Sequence, residues 1–114
     1  MIDVAAIREI VAVYLKYGWT LRRVMLSPAL KKSFKESPVE IFGDVPVIDS
    51  DTDAAWFSRP PVTGGVAWEI RHLTEVPYAL LENIDEYDSE FESTVRAVEA
   101  RLRMTVTAKN RLDK

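Results

Sequence analysis

The sequence predicts an α+β domain: an antiparallel sheet of about four to five strands with an N-terminal and a C-terminal helix packed on it. Three observations carry this expectation. Apolar residues recur at helical spacing near both ends, on Val4, Ile7, Val11 and Tyr14 and again on Phe91, Val95, Val98 and Leu102. Between them, residues 53–85 hold three β-like runs divided by Pro- and Gly-bearing connections, the pattern of a meander. In the middle run Val66, Trp68, Ile70 and His72 alternate with Ala67, Glu69 and Arg71, so each set lines one side of a strand.

Taken in order, Asp3 is a good N-cap for a helix over 4–17 that Gly18 stops. Residues 19–26 follow as a strand, with Trp19, Leu21, Arg23 and Met25 on one face and Thr20, Arg22, Val24 and Leu26 on the other. Apolar groups on both faces mark a strand that is covered twice. Ser27-Pro28 opens a short helix, a capping serine before a proline at the first helical position, and Lys31, Lys32 and Lys35 make it basic. Residues 37–52 read as a hairpin of 39–42 with 45–48, or as an extended loop; Pro46 confines the second arm to an edge. Gly64-Gly65 reads as a hairpin turn, because neither a strand-to-helix setting nor a following lysine makes it a phosphate loop. Ser89 with Glu92 forms a capping box for the last helix. Its exposed side carries the four-residue pairs Glu92–Arg96 and Glu99–Arg103. That helix is expected to fade over 104–107, which leaves 1–108 as one α+β domain and 109–114 as a frayed basic tail. The order of these elements is loosely similar to that of several families of small bacterial proteins, secretion chaperones among them, without any of their sequence motifs.

The chain's 114 residues, 47% hydrophobic and 29% charged, suit one ordinary globular domain. Having no cysteine excludes disulfides, thiolate catalysis and cysteine-based zinc sites, and the single histidine excludes two-histidine chemistry. The longest unbroken apolar run, 10–15, is too short to cross a bilayer, and Arg8 and Glu9 interrupt the first apolar segment. A cytoplasmic location without a membrane partner is the expectation. The net charge of −3 is unevenly spread. Residues 1–38 carry seven basic and three acidic side chains, 39–93 two and thirteen, and 94–114 six and two. An acidic middle between basic ends is read chiefly as solvation with intramolecular pairing, and it argues against a nucleic-acid partner because the sheet region is the acidic part.

Two carboxylate patterns invite a metal. Asp49, Asp51 and Asp53 alternate as at the start of a calcium loop, but Ala54 stands where the turn glycine belongs and Pro60 where the bidentate glutamate belongs. Asp53 followed by Glu69-Ile70-Arg71 resembles the metal-dependent nuclease pattern, an aspartate preceding Glu-X-Lys on the next strand, with arginine in the lysine position. Arginine gives up its proton far less readily than lysine, so water activation there lacks its usual helper. The corresponding functional alternative is a metal-assisted, nuclease-like hydrolase using Asp53 and Glu69, with Asp51 as a third ligand. With a six-residue loop after Arg59, Phe57 falls opposite Trp68 and Asp53 opposite His72, a pair expected to be structural because no nucleophile is placed beside it. No catalytic residue and no cofactor are assigned.

The preferred expectation is a soluble, non-enzymatic binding or assembly module that forms a homodimer. Taking the connection 74–76 at three residues pairs Leu73 with Pro77, and so puts Ile70 opposite Leu80 and Glu69 opposite Leu81. In the same reading Trp56 lies beside Glu69. Trp56, Glu69, Arg71, Leu73 and Leu81 then form a face more apolar than free solvent exposure favours. Either a helix of the same chain or a second subunit covers it, and the second, with this face as the interface, is the expectation.

Overall fold

The computed structural model describes residues 2–60, 66–74 and 77–112, without the side chains of 108–112. The elements run α1 (Val4–Lys16), β1 (Thr20–Leu26), α2 (Pro28–Ser33), α3 (Pro38–Phe42), β2 (Val47–Asp49), β3 (Ala54–Arg59), β4 (Val66–His72), β5 (Ala79–Ile84) and α4 (Phe91–Leu112). They form one five-stranded sheet in the order β2-β1-β3-β4-β5. The β1–β2 pair is parallel and the other three pairs are antiparallel, so the α+β expectation holds with one parallel edge.

Local chemistry explains most of these boundaries. The Asp3 carboxylate accepts from the Ala6 N–H at 2.8 Å to start α1, and Gly18 at φ +88° turns the chain directly into β1. Ser27 Oγ accepts from the Leu30 N–H at 3.2 Å ahead of Pro28, as the sequence predicts for α2. The hairpin expected over 39–48 is replaced by α3 and β2. Pro38 follows an extended Ser37 and begins a helical turn, Gly43 at φ +81° ends it, and Val47–Asp49 joins β1 in parallel. Pro46, without an N–H, keeps only its carbonyl in the ladder, accepting from the Val24 N–H at 2.9 Å at the sheet's edge.

The centre of the sheet is covered on both sides. Ala55, Phe57, Val24, Leu26 and Leu73 pack with Ile7 of α1, Leu30 of α2 and Ile41 and Phe42 of α3. On the other side Trp56, Trp68, Ile70, Met25 and Ile84 pack with Val95, Val98 and Leu102 of α4. The stripe predicted for the last helix is therefore the stripe that is buried. That helix continues to Leu112, however, past the expected fade at 104–107 and through most of the expected frayed tail. At its start the Asp88 carboxylate accepts from the Glu90 N–H at 2.9 Å, while Glu92 reaches Arg23, so the Ser89–Glu92 capping box is superseded.

One register differs from expectation, with consequences for every face. β3 and β4 pair Ala54 with His72, Trp56 with Ile70, Phe57 with Glu69 and Arg59 with Ala67, one residue away from Phe57 opposite Trp68. Side chains alternate, so this slip exchanges the two faces of β3 relative to β4. Trp56 joins Trp68 under α4, and Phe57 goes to the α1 side. The connection 61–65, including the Gly64-Gly65 turn, lies outside the described residues. The β4–β5 register, with Ile70 opposite Leu80 and Glu69 opposite Leu81, is the predicted one, although 75–76 of its connection also lies outside them.

β1 departs from simple alternation as well. Its register against β3 shifts between Leu21, opposite Phe57, and Arg23, opposite Trp56, so Arg22 is the extra residue of a bulge. The bulge turns two successive arginines to the α4 side. Arg22 lies 4.7 Å from the Trp68 ring and pairs with Glu86 at 2.7 Å, and Arg23 pairs with Glu92 at 3.2 Å.

The two tryptophans make a contrast that can be measured. Trp56 Nε1 donates to the Glu99 carboxylate at 2.8 Å, whereas Trp68 Nε1 is buried with no acceptor among the described residues. Replacement by phenylalanine removes a charge-assisted bond at position 56 and an unsatisfied donor at position 68. Trp56→Phe should therefore cost about 1–2 kcal/mol more than Trp68→Phe in urea unfolding. Equal losses would show that the Glu99 contact adds nothing to the core.

Candidate functional site

The two faces of β4 and β5 differ in how well they are covered. On the α4 side Trp68, Ile70 and Ile84 are buried. On the α1 side the helix covers β4 but stops short of β5. Leu73 is buried in the α1 core, Arg71 nearly so, and Glu69 half-buried, whereas Ala79, Leu81 and Asn83 of β5 are exposed. Leu81 keeps 60% of its surface in solvent, and Val13 and Leu15 of α1 are exposed near 50%.

Tyr14 joins α1 to β4. Its ring stacks on Phe57 with centroids 4.0 Å apart and planes 9° from parallel, and meets Trp19 edge-on at 5.9 Å. Its hydroxyl donates to the Glu69 carboxylate. Burial, reinforced by that hydrogen bond and the Glu69 charge, pushes the Tyr14 phenol well above its usual pKa. Arg71, two residues beyond Glu69 on the same face, donates to the carbonyl of His72. Between Arg71, Thr74 and the first three turns of α1 lies a cleft of about 320 Å3.

The five residues expected to form one interface are thus divided. Glu69, Arg71, Leu73 and Leu81 share the α1 side, but Trp56, fully buried and bonded to Glu99, belongs to the core beneath α4. Adjacent aromatics in Ala54-Ala55-Trp56-Phe57 leave a two-residue period no means of telling which ring goes where. The polar end of the indole decides it. On the α4 side its N–H reaches a carboxylate, whereas phenylalanine has no polar atom to satisfy and stacks on Tyr14.

The metal candidates do not converge. Asp49 reaches Lys31 at 3.4 Å and Asp51 reaches Arg103 at 3.0 Å. The Asp53 carboxylate accepts from Ser27 N at 2.6 Å and Ser27 Oγ at 3.1 Å, holding the start of α2. Asp53 also lies four residues before Phe57, the residue opposite Glu69, or about 13 Å along the strand. Asp53 and Glu69 therefore cannot share one ion. Among the described residues no group of three or more histidine, aspartate or glutamate side chains is placed to hold a metal. Nor does the Asp53 carboxylate fall opposite His72, since Ala54 takes that position.

The cleft and the exposed strand β5 were missed in the sequence for different reasons. Arg71 reads there as part of the expected interface face, and its burial beside α1 follows only from where that helix crosses the sheet. β5 reads as the last strand of a meander, and that no further described strand lies beyond it is a matter of topology. Compared with known protein families, curated proteins and solved structures, the chain matches none.

The Tyr14 phenol links this site to stability. Its folded-state pKa lies above the unfolded value of about 10. The stability gained by keeping it protonated is complete below that value and is lost as pH rises through the folded pKa. Urea midpoints measured from pH 9 to 11.5 should fall more steeply for the wild type than for Tyr14→Phe. Parallel profiles would mean that the phenol is not held protonated by the fold.

Proposed function

We propose that the protein is a non-enzymatic binding and assembly module that pairs with a second copy of itself along the free edge of β5. The observation that carries the reading is the state of that strand. Among the described residues it has β4 as its single neighbour; it runs for six residues without proline, lysine or a bulge, and exposes Leu81. Natural edge strands usually carry such devices against pairing, and an unguarded edge is a template for another strand.

The backbone register makes a two-fold pairing self-consistent. The His72 N–H donates to the Tyr78 carbonyl at 2.9 Å, so in the alternating antiparallel ladder Tyr78, Leu80, Glu82 and Ile84 turn their backbone groups to β4. Ala79, Leu81 and Asn83 then turn theirs outward. Placing the axis at Leu81 pairs Leu81 with its own copy and Ala79 with Asn83 of the second copy, using every outward group of the strand. The two Leu81 side chains meet on the α1 side and cover each other.

Glu82, Asp85, Glu86 and Asp88 make this end of the sheet acidic, which favours protein over nucleic acid as the partner. A metal-assisted hydrolase built on Asp53 and Glu69 is the weaker reading, since both carboxylates are engaged with different side chains. No described helix is long and apolar enough to cross a membrane, and the reading keeps the cytoplasmic location expected from the sequence.

Light scattering at about 100 µM should report a dimer, since any Kd well below that concentration leaves most chains paired. Leu81→Lys should give a monomer with an unchanged circular dichroism spectrum, because the added charge lies at the edge and not in either core. A monomeric wild type, or a Leu81→Lys protein as dimeric as the wild type, would rule out the β5 edge. Trp56→Asp, by contrast, should unfold the chain instead of dissociating it.

A further inference from the structure

We infer that the cleft between α1 and the end of β4 is a binding site for a small apolar monocarboxylate, with the Arg71 guanidinium receiving the carboxylate. The inference is independent of the β5 edge and rests on a buried cation short of partners.

Arg71 keeps only 9% of its surface exposed, yet among the described residues no carboxylate lies within ion-pair distance of it. Its guanidinium offers five N–H donors, and its one acceptor among the described residues is the carbonyl of His72. Glu69, on the same face, is taken by the Tyr14 hydroxyl. A cation drawn out of water is costly unless it is paired and hydrogen-bonded, so an anion entering from the cleft removes a penalty already present in the fold. A carboxylate matches the planar fork of a guanidinium with two parallel hydrogen bonds.

The cleft's shape and lining define the rest of the ligand. Ile2, Ala6, Ile10 and Val13 supply apolar walls, and Arg71 supplies the cationic end. A volume of about 320 Å3 holds on the order of ten non-hydrogen atoms at roughly 30 Å3 each, the size of octanoate. Glu9, exposed at the rim, sets a negative charge against any second anionic group. A monoanion with an apolar body fits this arrangement, and a dicarboxylate or phosphate does not.

Titration of the full chain with octanoate, octanol, octanedioate and inorganic phosphate, followed by amide chemical shifts, tests the assignment. Octanoate should bind saturably with a Kd on the order of 1 mM or tighter, shifting amides of α1 and the end of β4. Octanol and octanedioate should each bind about tenfold more weakly, and phosphate should not saturate. Arg71→Met should weaken octanoate about tenfold and leave octanol unchanged. Ala6→Trp, which fills the cleft and keeps Arg71, should abolish saturable octanoate binding, and it decides the matter if Arg71→Met does not fold. Equal affinity for octanoate and octanol, undiminished octanoate binding in folded Arg71→Met or Ala6→Trp, or no saturation up to about 10 mM would overturn the assignment.

Discussion

Trp56 and Phe57 are consecutive residues of β3, and both are fully buried, one on each side of the sheet. Two separate layers must therefore be in place before this one strand is dry. Rings of this size bury about 150–250 Å2, worth roughly 4–6 kcal/mol each, which is a large part of a small domain's stability. The demand fixes the positions of both long helices, with α4 over Trp56 and Trp68 and α1 over Phe57. Tyr14 and Glu99 finish the two seams, one by stacking and the other by accepting the indole N–H. Once both helices are committed to the centre of the sheet, neither is left to cover the α1 side of β5. The exposed edge is thus a consequence of where the aromatic demand is greatest.

The charge distribution follows the same geometry. Arg22 with Glu86, Arg23 with Glu92, Lys31 with Asp49, Arg101 with Glu82 and Arg103 with Asp51 all join a basic terminal segment to the acidic middle one. Most of these pairs are substantially exposed, and individually such contacts contribute little. Together they explain why the strand region can be so acidic without flying apart, and the bulge at Arg22 is what brings two cations to one face. Arg71 stands apart from this scheme. It is the basic residue of the acidic segment that is buried, and none of these pairs includes it.

Much of the fold was legible where the pattern had a single solution. The apolar stripes of α1 and α4, the cap at Asp3, the serine-proline start of α2 and the β4–β5 register all follow from local rules, and Pro46 correctly marked an edge. Misreading came where local pattern admits two solutions. Val39-Glu-Ile-Phe42 suits a strand by composition, but Pro38 behind a capping-type serine and Gly43 ahead allow a helical turn of equal length, and burial of Ile41 and Phe42 decides for it. In β3 four apolar residues in a row gave no alternation to count. That lack was itself a signal of a central strand covered twice, one that a meander reading passes over. The candidate site was legible only in part. Glu69, Arg71, Leu73 and Leu81 share one side of the sheet, whereas the one-residue slip between β3 and β4 puts Trp56 on the other. The metal alternative had no support in three dimensions, because each of its aspartates points to a different neighbour.

The most direct examination of the assembly reading is amide hydrogen exchange along β5 as a function of protein concentration. Ala79, Leu81 and Asn83 direct their N–H groups away from β4, so within a single chain they face solvent, whereas Leu80 and Glu82 are bonded to β4 in monomer and dimer alike. The account predicts that protection at 79, 81 and 83 rises with concentration while that at 80 and 82 stays level. Exchange at 79, 81 and 83 that is fast and independent of concentration, up to about 1 mM, would contradict it.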